Sequence, residues 1–304
     1  MTAGARSRAA VRVEAPAKIN LSLEVLGRRA DGFHELETVL QAIDLVDEVT
    51  LELRSRRAEV PADAADVRLT MDAEAHTRDV PDDDSNLARR AAVAWLEAAG
   101  RAGEVGLDLA LTKRIPAGAG LAGGSSDAGA VLRGLQELLA PGLAPDALAA
   151  VAAELGSDVT FFLHGGTALC TGRGERVAPL PSPAPFELQL LLPDFGLSTP
   201  EVYGALGAAP CEPTAPEQDG PRVAAWAERL EDADLAALET LFRNDLEAPA
   251  RRLRPQVSDF LDLPGVHLSG SGSTCFVLGP AAPALAAECQ RRCIRLQRVR
   301  SKNR

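Results

Sequence analysis

The sequence predicts an α+β protein in two domains. Strand-like alternation and helix-like periodicity both recur along the chain, and 304 residues with 46% hydrophobic content exceed one ordinary core. Four prolines between positions 179 and 185 then mark a boundary. Residues 1–181 are expected to form an N-terminal domain and residues 182–304 a C-terminal one.

The elements follow in order. Residues 11–25 read as a strand, because Ile19, Leu21, Leu23 and Val25 alternate with Lys18, Asn20, Ser22 and Glu24. Period two places Lys18 and Asn20 on one face. Residues 28–34 form a turn-rich loop, and 39–53 a second strand region. After an acidic stretch ending at 82–86, residues 87–99 read as a helix capped near Ser85. Residues 106–112 alternate again. Ala128, Val131, Leu132, Leu135, Leu138 and Leu139 recur at helical spacing, with Ser125 or Ser126 as N-cap, Asp127 in the first turn and Pro141-Gly142 beyond the end. A second helix spans 145–155 and stops at Gly156 in the left-handed conformation. Asp158 then occupies a tight junction before the apolar run 159–163. In the second half, 187–192 reads as a buried strand and 210–221 as a Pro-rich acidic insertion. Two helical stretches lie within 222–254, a strand–turn–strand surrounds 268–274, and a last helix starts near Pro283.

Composition excludes several classes. A net charge of −11 argues against general affinity for nucleic acid or acidic membranes, which needs a basic face. The tail is the exception: residues 291–304 carry seven Arg or Lys and no acid, which could contact RNA but reads as a solvated or frayed end. Five cysteines without a C-x-x-C and four histidines without H-E-x-x-H suggest neither a disulfide frame, nor a zinc site, nor a histidine-ligated catalytic metal. No apolar signal region or membrane-length run is present, so a cytoplasmic protein is expected.

One segment carries chemistry: Pro116, Ala117, Gly118, Ala119, Gly120, Leu121, Ala122, Gly123, Gly124, Ser125 and Ser126 lead directly into the helix at 128–139. Glycines let the backbone approach a phosphate, and the N–H groups of the first helical turn point at the charge. Gly118, Gly120 and Gly123 spell G-x-G-x-x-G, but no strand with an acidic end follows the helix, as a Rossmann unit requires. No Gly-Lys-Ser/Thr follows either, and the nearest lysine, Lys113, precedes the loop. A different class of nucleotide loop is implied. Elsewhere each signal is weak alone: Lys18 and Asn20 fit a solvated face, His34 a loop, Asp158 a cap, and Gly270 and Gly272 a hairpin.

Their order is more specific. Pro16-Ala-Lys-Ile-Asn20, the glycine segment, Gly156-Ser-Asp-Val159 and Ser269-Gly-Ser-Gly-Ser273 together resemble the GHMP kinase superfamily. Ala15-Pro-Ala-Lys-Ile-Asn-Leu21 and Arg29-Ala-Asp-Gly-Phe-His-Glu-Leu36 resemble the branch acting on a cytidine diphosphate derivative of methylerythritol in non-mevalonate isoprenoid synthesis. The resemblance covers residues 11–278. It implies transfer of the ATP γ-phosphoryl group to the 2-hydroxyl of that small molecule. Lys18 and Asp158 fall at the catalytic pair, Asp158 accepting the hydroxyl proton or orienting the attacking oxygen while Lys18 holds Asp158 ionised and offsets phosphoryl charge. Residues 116–126 would wrap the ATP phosphates. Mg²⁺ is expected, with no protein ligand assigned. His34 matches the reader of the cytosine edge, with Phe33 and Tyr203 as aromatic walls. Asn20 and Thr199 are candidate polar contacts to substrate, and Gly270, Ser271 and Gly272 candidate backbone contacts to its phosphates. Two departures stand out: Phe33 replaces a frequent tyrosine, and Thr160 a usual proline. The implied fold is a ribosomal-protein-S5-domain-2-like N-terminal half and a ferredoxin-like C-terminal half, the ligands meeting between them. The expected partners are thus the small-molecule substrate and ATP, with no nucleic acid and no membrane. A mevalonate-type or homoserine kinase, or a non-catalytic nucleotide-binding module, are the alternatives.

Overall fold

A computed structural model describes residues 9–73, 77, 80–213, 221–231, 235–292 and 294–303. In chain order the elements are β1 (Ala10–Arg28), β2 (His34–Arg54), β3 (Asp66–Ala73), α1 (Leu87–Ala98), β4 (Gly106–Lys113), α2 (Gly123–Leu138), α3 (Pro145–Leu155), α4 (Val159–His164), β5 (Thr167–Gly172), β6 (Arg176–Leu180) and β7 (Glu187–Leu192). There follow α5 (Thr199–Leu206), α6 (Pro221–Glu231), α7 (Leu235–Glu239), β8 (Arg243–Asn244), α8 (Glu247–Leu253), α9 (Ser258–Leu261), β9 (His267–Leu268), β10 (Cys275–Leu278), α10 (Pro283–Arg291) and β11 (Arg295–Arg300). The α+β expectation holds. Among the described residues no helix is long and apolar enough to cross a membrane.

Two compact units form, neither a single stretch of chain. The first contains the described residues up to Ala15, Val46–Ile115 and Gly123–Leu163. Here the second half of β2 pairs antiparallel with β4, from Glu48↔Thr112 to Arg54↔Gly106, and β4 pairs parallel with β3. The helical face read from the sequence, Val131, Leu132 and Leu135 of α2, meets Trp95 and Leu96 of α1 and Leu107, Leu109 and Leu111 of β4 in one core. Burying each such Leu or Val contributes about 1.5–3 kcal/mol. The buried indole Nε1 of Trp95 donates to Gln136 Oε1 at 2.9 Å, which removes the cost of an unpaired donor.

The second unit comprises Pro16–Leu45, Pro116–Ala122 and the chain from His164 onward. The first half of β2 pairs antiparallel with β5, which pairs with β6, while β1 runs parallel to the two-residue β8. A separate sheet, ordered β11-β7-β10-β9, is antiparallel throughout. Its core includes Leu191, Cys275 and Val277 from the strands, with Val202 of α5, Ala250 of α8, Phe260 of α9 and Leu285 of α10.

Several local expectations are corrected. Helix α2 begins at Gly123, so Ser125 and Ser126 lie inside its first turn rather than capping it. Asp127 faces inward and is buried instead of serving that turn's dipole. The cap of α1 is Asn86, whose Oδ1 accepts from Ala88 N at 3.0 Å and Arg89 N at 3.3 Å, while Ser85 bonds Asp83. Gly156 ends α3 in extended backbone, φ 169°, not the left-handed region. The region 222–254 holds three helices, α6, α7 and α8, and strand β8. Residues 295–300 of the basic tail are not frayed: they form the edge strand β11, with Val299 buried and Arg298 and Arg300 both paired to Glu187. Of the insertion 210–221, residues 214–220 lie outside the described residues, as does Cys293.

Helix α2 also carries a test of close packing. A methyl group at Gly129 would lie 2.6 Å from Phe162 Cβ on α4. Ala normally stabilises a helix interior by about 1 kcal/mol over Gly. Overpacking of this kind costs about 1–3 kcal/mol. Gly129→Ala is therefore expected to lower the urea midpoint, and a raised midpoint would show that α4 yields without strain.

Candidate active site

The site grows from the polar face of β1. Lys18, Asn20 and Ser22 share that face by the period of two, yet all three are buried, Lys18 to 4% and Asn20 to 6% exposure. Burying a cation is costly unless it is hydrogen-bonded. Lys18 Nζ donates to Asn20 Oδ1 at 2.8 Å and to the carbonyl of Gly120 at 2.9 Å. Asn20 is fixed in turn, since its Nδ2 donates to Thr38 Oγ1 at 2.8 Å and that hydroxyl donates to the carbonyl of Ser22 at 2.6 Å. The amide assignment of Asn20 follows from this chain: its oxygen must accept from the ammonium, so its nitrogen meets the hydroxyl.

The glycine loop arrives at the same place. Lys18 N donates to Leu121 O at 3.2 Å, Thr274 N to Ala119 O at 3.2 Å, and Ser269 Oγ to Gly120 O at 3.2 Å. Gly120 has φ 76°, and a Cβ there would sit 2.4 Å from Ser269 O. Gly270 has φ 57°, and its Cβ would come to 3.2 Å from Lys18 Nζ and 3.3 Å from Asn20 Oδ1. Both positions need glycine for conformation and for space. Ala122 has φ 56°, and no other non-glycine among the described residues has a positive φ. Strain of this kind, about 1–3 kcal/mol, concentrates at functional loops.

The late turn is held from two further sides. Ser271 is buried, and its hydroxyl meets Thr199 Oγ1, at the start of α5, at 2.8 Å. Asn244 Nδ2 donates to Leu268 O at 3.0 Å and to Gly270 O at 2.8 Å. Sequence reasoning missed Asn244 and Thr38. A two-residue strand has no pattern to read, and Thr38 acquires its role only when β2 lies against β1.

A second group surrounds His34, at the start of β2. Its ring packs on Tyr203 of α5, centroids 4.9 Å apart and planes 34° apart. Partial burial, assisted by the positive charge of Arg28, lowers the imidazole pKa. The ring is therefore neutral at pH 7, with one donor and one acceptor nitrogen. Phe33 is 50% exposed, and the Arg173 guanidinium stands 4.8 Å over its ring. Arg173, on the turn between β5 and β6, is another residue the sequence did not reveal. The loop bearing Phe33 is tied by Phe33 N to Asp31 Oδ1 at 3.1 Å and by Arg29 to buried Glu35 at 2.7 Å.

Lys18, Asn20, Gly120, Gly270, Ser271 and Thr199 thus form one connected group, and His34 and Tyr203 another with Phe33 adjacent in sequence. Of the other sequence-selected residues, Pro116–Ala122 and Gly272 belong to the second unit, and Gly123, Gly124, Ser125, Ser126 and Asp158 to the first. Gly123, Gly124, Ser125 and Ser126 open α2, and Asp158 occupies the half-buried turn before α4. Thr160 secures that turn, donating its hydroxyl to Ser157 O at 3.0 Å. A side-chain bond replaces the fixed φ that a proline would supply in a first helical turn.

Residues 86–166 match the family described as GHMP kinases N terminal domain. The chain is 43% identical over 274 residues to a 4-diphosphocytidyl-2-C-methyl-D-erythritol kinase of Brevibacillus brevis, covering 88% of this chain and 87% of that protein. It superposes on a crystal structure of a 4-(cytidine 5'-diphospho)-2C-methyl-D-erythritol kinase with a TM-score of 0.69 at 36% identity, covering 96% of this chain and all of that one. A homoserine kinase from Cytophaga hutchinsonii reaches a TM-score of 0.68 at 22% identity, over 100% of this chain and 98% of that one, which shows the shared fold alone. With this fold, this order of motifs and this degree of identity, the chain belongs to the 4-diphosphocytidyl-2-C-methyl-D-erythritol kinase family, within the GHMP kinases.

Proposed function

We propose that this chain transfers the γ-phosphoryl group of ATP to the 2-hydroxyl of 4-diphosphocytidyl-2-C-methyl-D-erythritol, giving the 2-phosphate and ADP in non-mevalonate isoprenoid synthesis. The observation that carries the reading is the convergence on Lys18 Nζ of three separate segments: β1, the glycine loop through Gly120 O, and the late turn through Gly270. Phosphoryl transfer needs positioning and charge stabilisation more than covalent chemistry, and a buried ammonium among backbone turns supplies both.

In this reading the loop 116–126 and the first turn of α2 hold the ATP phosphates with backbone N–H groups. Lys18 offsets charge on the transferred group, and Asp158 orients the attacking hydroxyl or accepts its proton. Asn20 and Thr199 make polar contacts to the substrate, and the backbone of the turn at Gly270, Ser271 and Gly272 contacts its phosphates. His34, neutral and braced by Tyr203, offers a donor and an acceptor to the cytosine edge, while Phe33 offers a flat apolar face. Mg²⁺ enters as the companion of the nucleotide phosphates. It would offset negative charge on those phosphates, and no protein ligand is assigned to it. The reading places the enzyme in the cytoplasm, and the free thiols of Cys170, Cys211, Cys275 and Cys289 suit a reducing compartment.

Three measurements test this. In a coupled assay of ADP release, the cytidine-containing alcohol is expected to turn over, and mevalonate and homoserine are not; preference for either of those would reassign the acceptor. Asp158→Ala is expected to lower kcat by about 10²- to 10⁴-fold with ATP binding retained. A near-normal rate would remove Asp158 from the chemistry. His34→Ala should raise KM for the cytidine substrate by roughly 5- to 150-fold, the effect of leaving about 1–3 kcal/mol of hydrogen bonding unmade. An unchanged KM would refute the contact with the base.

A further inference from the structure

Both ends of the glycine loop rest on a buried ionic cluster that the proposed chemistry does not use. Lys113, the last residue of β4, is 1% exposed and donates through Nζ to Asp47 Oδ2 on β2 and to Asp127 Oδ2 on α2. Asp47 is fully buried and Asp127 is 2% exposed. Asp47 Oδ1 also accepts the backbone N–H groups of Arg114 and Ile115, the latter at 2.9 Å. On the exit side, a Cβ at Gly123 would lie 2.9 Å from Ile115 Cγ2 and 3.6 Å from Asp47 Oδ2. Residues 116–122 therefore leave and return through one closed neck, and Lys113 links the three elements that make it.

The charges do not balance when all three groups are ionised. Two carboxylates and one ammonium leave a net −1 beneath the start of α2, where a polyanion would bind. Asp127 Oδ1 is buried with no hydrogen-bond partner among the described residues, a costly place for a carboxylate oxygen. The charged groups facing Asp127 are Lys113 from β4 and Asp47 from β2. Burial is the largest influence on its carboxyl and Asp47 acts in the same direction; against the opposing pull of Lys113, they raise its pKa to about 7.

We propose that Lys113 and Asp127 are positioning residues for the nucleotide: Lys113 closes the neck of the loop, and Asp127 takes a proton from solvent as phosphate groups arrive at the start of α2. This rests on the nucleotide reading of the loop given above. A ligand that favours the protonated cluster binds more weakly as pH rises through the pKa of Asp127, by up to tenfold per pH unit for one proton.

The test is calorimetric titration of the full chain with ATP and Mg²⁺ from pH 6 to 8.5, in two buffers of different ionisation heat. ATP titrates in the same range, so the informative quantity is the difference between the wild type and Asp127→Asn. The wild type is expected to take up more protons than the variant, approaching one, and its affinity to fall more steeply with pH. Lys113→Met is expected to weaken ATP at least tenfold; if that variant does not fold, the Asp127→Asn comparison decides alone. A purely structural role for Asp127 would change the melting temperature but leave proton uptake the same in both proteins, and that result would overturn the proposal. Failure of the wild type to bind ATP would instead remove the nucleotide reading itself, which is distinguishable because it needs no variant.

Discussion

The ammonium of Lys18 is the constraint on which the rest of the candidate site depends. A buried cation has to be met by oxygen atoms, and these come from positions far apart in the chain: Asn20 two residues on and Gly120 in the loop. Once Gly120 O is committed to that ammonium, the loop cannot be a free tether. Its neighbours Ala119 and Leu121 accept from Thr274 and Lys18 backbones, and the late turn follows it into contact. One buried charge thereby sets the course of three segments that share no local sequence relationship.

Glycine makes such closeness possible, and its effect is specific to place. At Gly120 and Gly270 a positive φ coincides with neighbours that would sit within 2.4–3.3 Å of an added Cβ. At Gly129 and Gly123 the reason is space alone, since φ is not the obstacle. The same residue type therefore serves turn conformation and close backbone contact in one part of the chain and helix packing in another.

The electrostatic design also resolves an apparent conflict between an acidic chain and a polyanionic ligand. Net charge is −11, yet the phosphate recognition proposed above would rely on backbone N–H groups, a helix start and the buried Lys18. Local dipoles and desolvated charges act over a few ångströms, whereas the acidic surface is screened beyond about 8–10 Å. The group proposed to read the base would use little charge by comparison: a neutral imidazole against Tyr203 and a phenyl ring with the Arg173 guanidinium over it.

Regular periodicity made much of the architecture legible. Helix α3 and strand β7 occupy the ranges their patterns indicate, and the order of Lys18, the glycine loop, Asp158 and the Ser-Gly-Ser-Gly-Ser turn specified the class of chemistry. Strands β3, β5 and β6 escaped notice, β5 because a six-residue run buried along its whole length has no alternation to detect. Asp127 looked like a helix-start acid, and the basic tail like a loose end, because each reading considered only neighbours in sequence. By itself the sequence determined which groups are present and in what order, since those follow from local pattern and residue type. Only the tertiary structure decided that Lys18 and Lys113 are buried and who their partners are, because burial is conferred by residues tens to hundreds of positions away.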